Sequence, residues 1–107
     1  MHESAELSAR GADYAARLPS SIDELRGPVT GPVELPLRVV WSGRRTYDLD
    51  DVRQRLLLYA LLLSEAPAAD LRQWVNRDLL VEQWPKLRQM LSPARRRAWE
   101  SMLLGSA

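Results

Sequence analysis

The side chains most often used in catalysis and metal binding are scarce in this sequence. His2 is the single histidine, and the chain contains no cysteine. A transition-metal site, or a Ser/His or Cys/His nucleophile, needs at least one further residue of these types beside His2. The segment Gly27–Val33, which repeats Gly-Pro-Val, has proline where a phosphate-binding loop needs free backbone amides. We therefore predict no enzyme activity, no metal and no cofactor.

Three clustered carboxylates, Asp48, Asp50 and Asp51, are the remaining candidates for acid–base chemistry. They stand directly before a helical pattern, and helix capping accounts for them. Asp48 is the predicted N-cap, with Asp51 completing a capping-box-like pair and Asp50 near the positive end of the helix dipole. Calcium binding would need a longer run of oxygen ligands. The cluster is therefore predicted to be structural.

Positive charge is concentrated late in the chain, where Arg95, Arg96 and Arg97 follow Lys86 and Arg88. This run suggests an alternative hypothesis, a small DNA-binding transcriptional regulator that uses the 68–84 helices together with Arg95–Arg97. The polar positions of those helices are interleaved with acids, which is a poor set for reading bases: Arg72, Gln73, Arg77 and Gln83. The net charge is only +1. Nucleic acid is therefore not the favoured partner.

The size and hydrophobic content indicate one small cytoplasmic domain. The chain has 107 residues, of which 46% are hydrophobic. Its longest apolar run, Leu56–Leu63, is far shorter than the roughly 20 residues that span a bilayer. The first ten residues are polar and acidic, unlike a secretory signal. We therefore expect no membrane contact.

The chain is predicted to have three parts. Residues 1–26 form a flexible N-terminal segment, residues 27–36 an extended Pro/Gly arm, and residues 37–107 a hairpin plus helical domain. Proline removes amide donors along the arm, which excludes a helix or a central strand there. The arm is either a linker or a segment that lies along its own domain or along a partner. The second interpretation is slightly favoured, because a plain spacer does not need Val29, Val33 and Leu35.

The fold class that we predict is mainly α, a small bundle of about four helices preceded by the arm and a β-hairpin. The hairpin joins strands 37–41 and 45–49 through the turn 42–44. The first helix runs from about residue 49 to 65, and a second continues from Pro67 to Val75. Asn76 is the predicted break and cap before a short helix that covers 78–84 and ends near Pro85. The last helix begins at Ser92–Pro93 and is closed by Gly105.

The arm and the hairpin are the predicted partner-binding region, because large aromatic and apolar side chains there lie outside the helical core. The candidate residues are Val29, Val33, Leu35, Trp41, Arg44, Arg45, Tyr47 and Asp48.

Landmarks from Leu35 to Glu100 carry a family resemblance. They are Leu35–Pro36, Val40–Gly43, Tyr47–Leu49, Arg53–Tyr59, Asp70–Val75, Leu79–Leu80, Trp84–Pro85 and Arg97–Glu100. This pattern, over about two-thirds of the chain, resembles small actinobacterial proteins encoded beside nucleotidyltransferases of the abortive-infection type. The chain departs from that group at 64–67, where a Gly-containing turn is usual.

The resemblance implies that this protein is the antitoxin of a toxin–antitoxin pair. In such pairs the toxin transfers nucleotides, typically onto tRNA, and the small protein holds it inactive. The resemblance thus gives the expected partner, a cognate nucleotidyltransferase toxin, with no small-molecule substrate. Steric occlusion by the arm and hairpin is the expected mechanism. Asp48, Asp50 and Asp51 are further candidates to pair with basic residues that hold nucleotide phosphates in the toxin.

Overall fold

The structure is a computed structural model that describes residues 18–37 and 43–105. Within these residues the fold is mainly α, as predicted, with a short antiparallel two-stranded ladder. The strands are β1 (Pro32–Glu34) and β2 (Thr46–Asp48), and the helices are α1 (Val52–Glu65), α2 (Ala68–Trp74), α3 (Arg77–Leu87) and α4 (Pro93–Gly105). Two 3-10 turns, Ile22–Glu24 and Arg88–Met90, complete the described elements.

Residues 18–31 form a strap that crosses the helices and belongs to the domain. Ser21 and Glu24 form a capping box around the first 3-10 turn. Two apolar side chains of the strap, Ile22 in this turn and Leu25 directly after it, are buried. The strap then pairs with the corner between α2 and α3, where the amide of Gly27 donates to the carbonyl of Val75 at 2.9 Å. The part of the predicted flexible segment that the structure describes therefore contributes to the core.

The observed β-ladder differs from the predicted hairpin in its first strand. β1 comes from the arm and pairs with β2, with Val33 opposite Tyr47. Leu37, where the predicted strand 37–41 would begin, lies in a turn, and residues 38–42 are outside the described residues. The observed register points Val33 and Tyr47 into the core, whereas Pro32 lies at the exposed start of an edge strand, where a missing amide is tolerated.

α1 begins one turn later than predicted. Asp51 is its N-cap, and its carboxylate accepts hydrogen bonds from the backbone amides of Arg53 and Gln54 at 2.9 and 3.0 Å. Asp48, the predicted cap, instead accepts from the amide of Asp50 at 2.9 Å and lies in β2. Asp51 caps the helix because its side chain reaches two otherwise unpaired amides of the first turn.

The remaining helices begin where local signals predict, but α3 ends later. Asn76 caps α3 by accepting from the amides of Asp78 and Leu79, and α4 begins at Pro93. Pro85 was predicted to end the third helix, yet it lies inside α3. Pro85 is exposed, and the helix continues past it to Leu87 and into the second 3-10 turn.

The strap, the β-ladder and the four helices contribute to one core. Trp99 of α4 and Tyr59 of α1 are its largest fully buried side chains. α1 also buries Leu58, Leu62 and Leu63, and α1 contacts β2, α2 and α3. The core fixes the inner side of the β-ladder, so that the opposite side of the ladder faces solvent on a rigid support.

Candidate protein-binding surface

The residues predicted to bind a partner divide into a buried and an exposed group. Val33, Leu35 and Tyr47 are at most 7% exposed and belong to the protein's own core. The prediction that they contact a partner is therefore wrong for this fold, since their inward side of the β-ladder covers the helices. Val29 is 49% exposed, and Trp41 lies outside the described residues.

The exposed group lies on what we call the hairpin face: the outward side chains of the β-ladder and of the residues that flank it. Its members are the exposed Pro32, Glu34, Arg44, Thr46 and Asp48 and, beside them, the partly buried Arg45. Arg45 closes one end of this face, because its Nε donates to the carbonyl of Leu35 at 3.0 Å and its Nη2 pairs with Glu34 at 3.1 Å. Three of the predicted residues, Arg44, Arg45 and Asp48, are thus brought together on one surface.

Arg44 is the most firmly held exposed side chain of the hairpin face. Its Nε donates to the carbonyl of Thr46 at 2.9 Å, and its Nη2 donates to Oε1 of Gln54 at 2.6 Å. The guanidinium also lies over the ring of Tyr47, 5.1 Å from the centroid, where the cation is attracted by the face of the ring. The Tyr47 hydroxyl donates back to the Arg44 carbonyl at 3.3 Å. These contacts fix an arginine that is otherwise in solvent.

Gln54 joins the hairpin face to the start of α1. Besides Arg44, its Oε1 accepts from the amide of Asp48 at 2.9 Å, and its Nε2 lies 3.4 Å from Oδ2 of Asp51. The sequence reasoning missed this residue. A signal was available, because Gln54 stands three positions after the N-cap Asp51, where a glutamine often takes part in capping.

The three aspartates near this face are occupied by backbone amides. Asp50 accepts from the amide of Gly31 at 3.3 Å, and the amides that Asp48 and Asp51 accept are described above. The hydrogen bond from the Gln54 amide contributes most to lowering the pKa of the Asp51 carboxyl below its ordinary value. Across the described ranges, no group of three or more His, Cys, Asp or Glu side chains is arranged to hold a metal ion. The cluster therefore supports the hairpin and α1.

The basic residues considered for DNA binding are mostly engaged with neighbouring side chains. On α2 and α3, Arg72 pairs with Glu24 at 2.8 Å and Arg77 pairs with Asp23 at 2.7 Å. Gln83, expected to be exposed, is 7% exposed. The α2–α3 pair thus presents few free groups for reading bases.

Glu100, in the middle of α4, joins this helix to the end of α3 and to the 3-10 turn that follows it. Its Oε2 accepts from Arg88 Nε at 3.1 Å and from Trp84 Nε1 at 3.3 Å. The hydrogen bond from Arg88 contributes most to lowering the pKa of the Glu100 carboxyl. Of the predicted basic run, Arg97 is exposed and Arg95 and Arg96 are partly buried.

No protein-family model matches this chain, and neither a curated protein nor a solved structure is similar to it. Within residues 18–37 and 43–105, no helix has the length and apolar character of a membrane span. The hairpin face and the family resemblance of the sequence are therefore the features of this chain that bear on its function.

Proposed function

We propose that this protein is antitoxin-like: it binds a cognate nucleotidyltransferase toxin and inhibits it by covering the active site, without catalytic chemistry of its own. The landmark residues between Leu35 and Glu100 support the class of partner through their resemblance. The observation that carries the proposal is the hairpin face, where exposed charged side chains are fixed on a ladder whose other side is anchored in the core.

The alternation of charge on the hairpin face favours a protein partner. Arg44 and Arg45 lie beside Glu34 and Asp48, with Asp50 adjacent in the chain. A nucleic-acid backbone offers negative charge only, and would meet repulsion from the acids. A folded protein presents both signs, and a surface with both signs selects its partner by charge complementarity. The hairpin face is therefore suited to one specific protein surface.

Occlusion requires a rigid element that enters or covers a cleft. The hairpin face meets this requirement because Gln54 ties it to α1, and Val33 and Tyr47 anchor it from below. Little ordering is then needed on binding, which lowers the entropic cost of association. Of the originally predicted residues whose positions the structure describes, Val29, Arg44, Arg45 and Asp48 remain in the proposed interface.

The alternative function, a DNA-binding regulator, gains no specific observation. The ion pairs of Arg72 and Arg77 engage the two arginines of the α2–α3 pair within the protein. Asp78 and Glu82 lie on the exposed side of α3, where they would repel phosphates.

The test uses co-expression with the nucleotidyltransferase encoded beside this protein. We expect relief of growth arrest and co-purification of the two proteins at low salt. Thr46 lies at the centre of the hairpin face with an exposed side chain, so Thr46→Tyr adds bulk there while the strand is retained. This variant is expected to lose both protection and co-purification.

The matched control is Gln73→Tyr, which adds the same ring at an exposed position of α2. We expect it to protect as well as the unchanged protein. Absence of co-purification with the unchanged protein would contradict the proposed function. Equal protection by Thr46→Tyr would show that the partner binds elsewhere.

A further inference from the structure

Toward the described residues, Arg44 uses one of the two edges through which a guanidinium forms paired hydrogen bonds. The Nε and Nη2 groups form its side-on edge, and both donate within the protein, to Thr46 and to Gln54. The end-on edge, formed by Nη1 and the outer hydrogen of Nη2, makes no hydrogen bond to the described residues. Arg44 as a whole is exposed.

We infer that the end-on edge of Arg44 is a receptor for a single carboxylate, supplied by an aspartate or glutamate of the protein partner. This inference rests on the proposed function and names the chemistry at its centre. Two parallel N–H groups in one plane match the two oxygens of a carboxylate, and such paired bonds are among the stronger polar contacts in proteins.

The surroundings of Arg44 prepare it for this role. An arginine free in solvent loses much side-chain freedom when it binds, whereas Arg44 is already held by two hydrogen bonds and by the ring of Tyr47. Its outer edge is therefore directed before the partner arrives. Fixed arginines of this kind are common among residues that dominate the binding energy of an interface.

The same surroundings favour a carboxylate over a phosphate. The positive charge of Arg44 helps to lower the pKa of the nearby Asp51 carboxyl. Asp48, the last residue of β2, is a second acid on the hairpin face. A phosphodiester also brings one charge, but along a nucleic acid it is followed by further phosphates, which would face these acids without enough basic side chains to offset them. One carboxylate brings one charge, which Arg44 balances.

The experiment compares Arg44→Ala and Arg44→Lys with the unchanged protein, using the Kd for the purified adjacent nucleotidyltransferase. Lysine keeps the charge but cannot form two parallel bonds. We expect Arg44→Ala to weaken binding about 30-fold. We expect Arg44→Lys to weaken it by at least about fivefold, with the loss mainly in the dissociation rate. Arg97→Ala, which removes an exposed arginine of α4, is expected to leave Kd unchanged.

Circular dichroism and thermal unfolding establish that each variant is folded before binding is compared. A Kd for Arg44→Lys within about fivefold of the unchanged protein overturns the inference and leaves the proposed function intact. Displacement of the toxin from the unchanged protein by a short RNA duplex, but not from Arg44→Ala, also overturns it in favour of a phosphate ligand. No binding by the unchanged protein overturns the inference together with the proposed function.

Discussion

The hydroxyl oxygen of Tyr59, in the middle of α1, accepts a hydrogen bond of 2.9 Å from the backbone amide of Asn76, the N-cap of α3. One side chain of the central helix thus fixes the corner at which α2 ends and α3 begins. The same corner receives the strap, because the Asn76 side chain donates to the carbonyl of Gly27 at 3.2 Å. The position of the helices and that of the strap therefore depend on a shared joint.

The variant Tyr59→Phe removes the acceptor of the Asn76 amide and leaves that partly buried donor unpaired. We expect the free energy of unfolding at neutral pH to fall by about 1–3 kcal/mol. Urea unfolding followed by circular dichroism measures the change. Since Phe retains the ring, a loss of this size reports the hydrogen bond, and an unchanged midpoint would show that the joint does not depend on it.

The difference in unfolding free energy between Tyr59→Phe and the unchanged protein is also expected to depend on pH. Burial raises the pKa of Tyr59 from 10.0 to about 12. Because the folded pKa is raised, the stabilising contribution is complete below pH 10, where the neutral phenol is present in both states. Between pH 10 and 12 the unfolded state loses this proton first, so stability falls by up to about 1.4 kcal/mol per pH unit. Tyr59→Phe lacks this loss, and the two unfolding curves should converge as pH rises.

Gly27 is expected to be the glycine most sensitive to substitution. A Cβ at this position would lie 2.8 Å from the Val75 nitrogen and closer still to the Trp74 carbonyl group, and these backbone atoms cannot move without disturbing the α2–α3 corner. We expect Gly27→Ala to cost at least about 3 kcal/mol of unfolding free energy. Thermal and urea unfolding provide the measurement.

Gly31→Ala is the control for this substitution. Gly31 has φ +81 and nothing within 4 Å of an added Cβ, so alanine there carries only the cost of the left-handed backbone. That cost is about 1–2 kcal/mol. Equal losses for the two variants would mean that the strap moves away from the corner without penalty.

The features predicted correctly from the sequence are those set by neighbouring residues. Asn76 and Pro93 mark helix starts through their own backbone and capping preferences, and both predictions are confirmed. The pairing of β1 with β2 depends instead on a register between two segments that residues 35–45 separate in the sequence. Local β-propensity favoured strand 37–41, whereas burial of Val33 against Tyr47 decides the observed pairing.

The candidate surface was predicted only in part, because local patterns indicate some of its residues whereas contacts between distant segments bring in the others. Arg44, Arg45 and Asp48 were named because the hairpin was expected to bind, and alternation along β2 accounts for the exposure of Asp48 opposite the buried Tyr47. The role of Gln54 arises only when α1 folds against the hairpin, since it bonds Arg44 ten positions away. The spacing of Gln54 from Asp51 indicates its capping role, but its contact with Arg44 has no signal in composition or periodicity.

The arm contains both core and surface residues, and substitutions can separate them. Leu35 is fully buried, so Leu35→Ala should leave a cavity and cost about 2–5 kcal/mol. Val29 is 49% exposed, and Val29→Ala should change stability by no more than about 0.5 kcal/mol. Chemical denaturation of both variants tests this contrast. A small loss for Leu35→Ala would indicate that the arm does not pack on its own domain in solution.

Asp51, rather than Asp48, is expected to control the start of α1. Asp51→Ala leaves the amides of Arg53 and Gln54 unpaired and should lower the thermal midpoint by roughly 5 °C. Asp51→Asn keeps an acceptor oxygen and should remain close to the unchanged protein at pH 7.

Because the folded pKa of Asp51 is lowered, its charge stabilises the fold above the ordinary value of 3.8 and ceases to do so as pH falls through the lowered pKa. Both variants should therefore lose less stability in acid than the unchanged protein does. Differential scanning calorimetry from pH 2 to 7 measures this, and a larger loss for Asp48→Ala than for Asp51→Ala would assign the cap to Asp48.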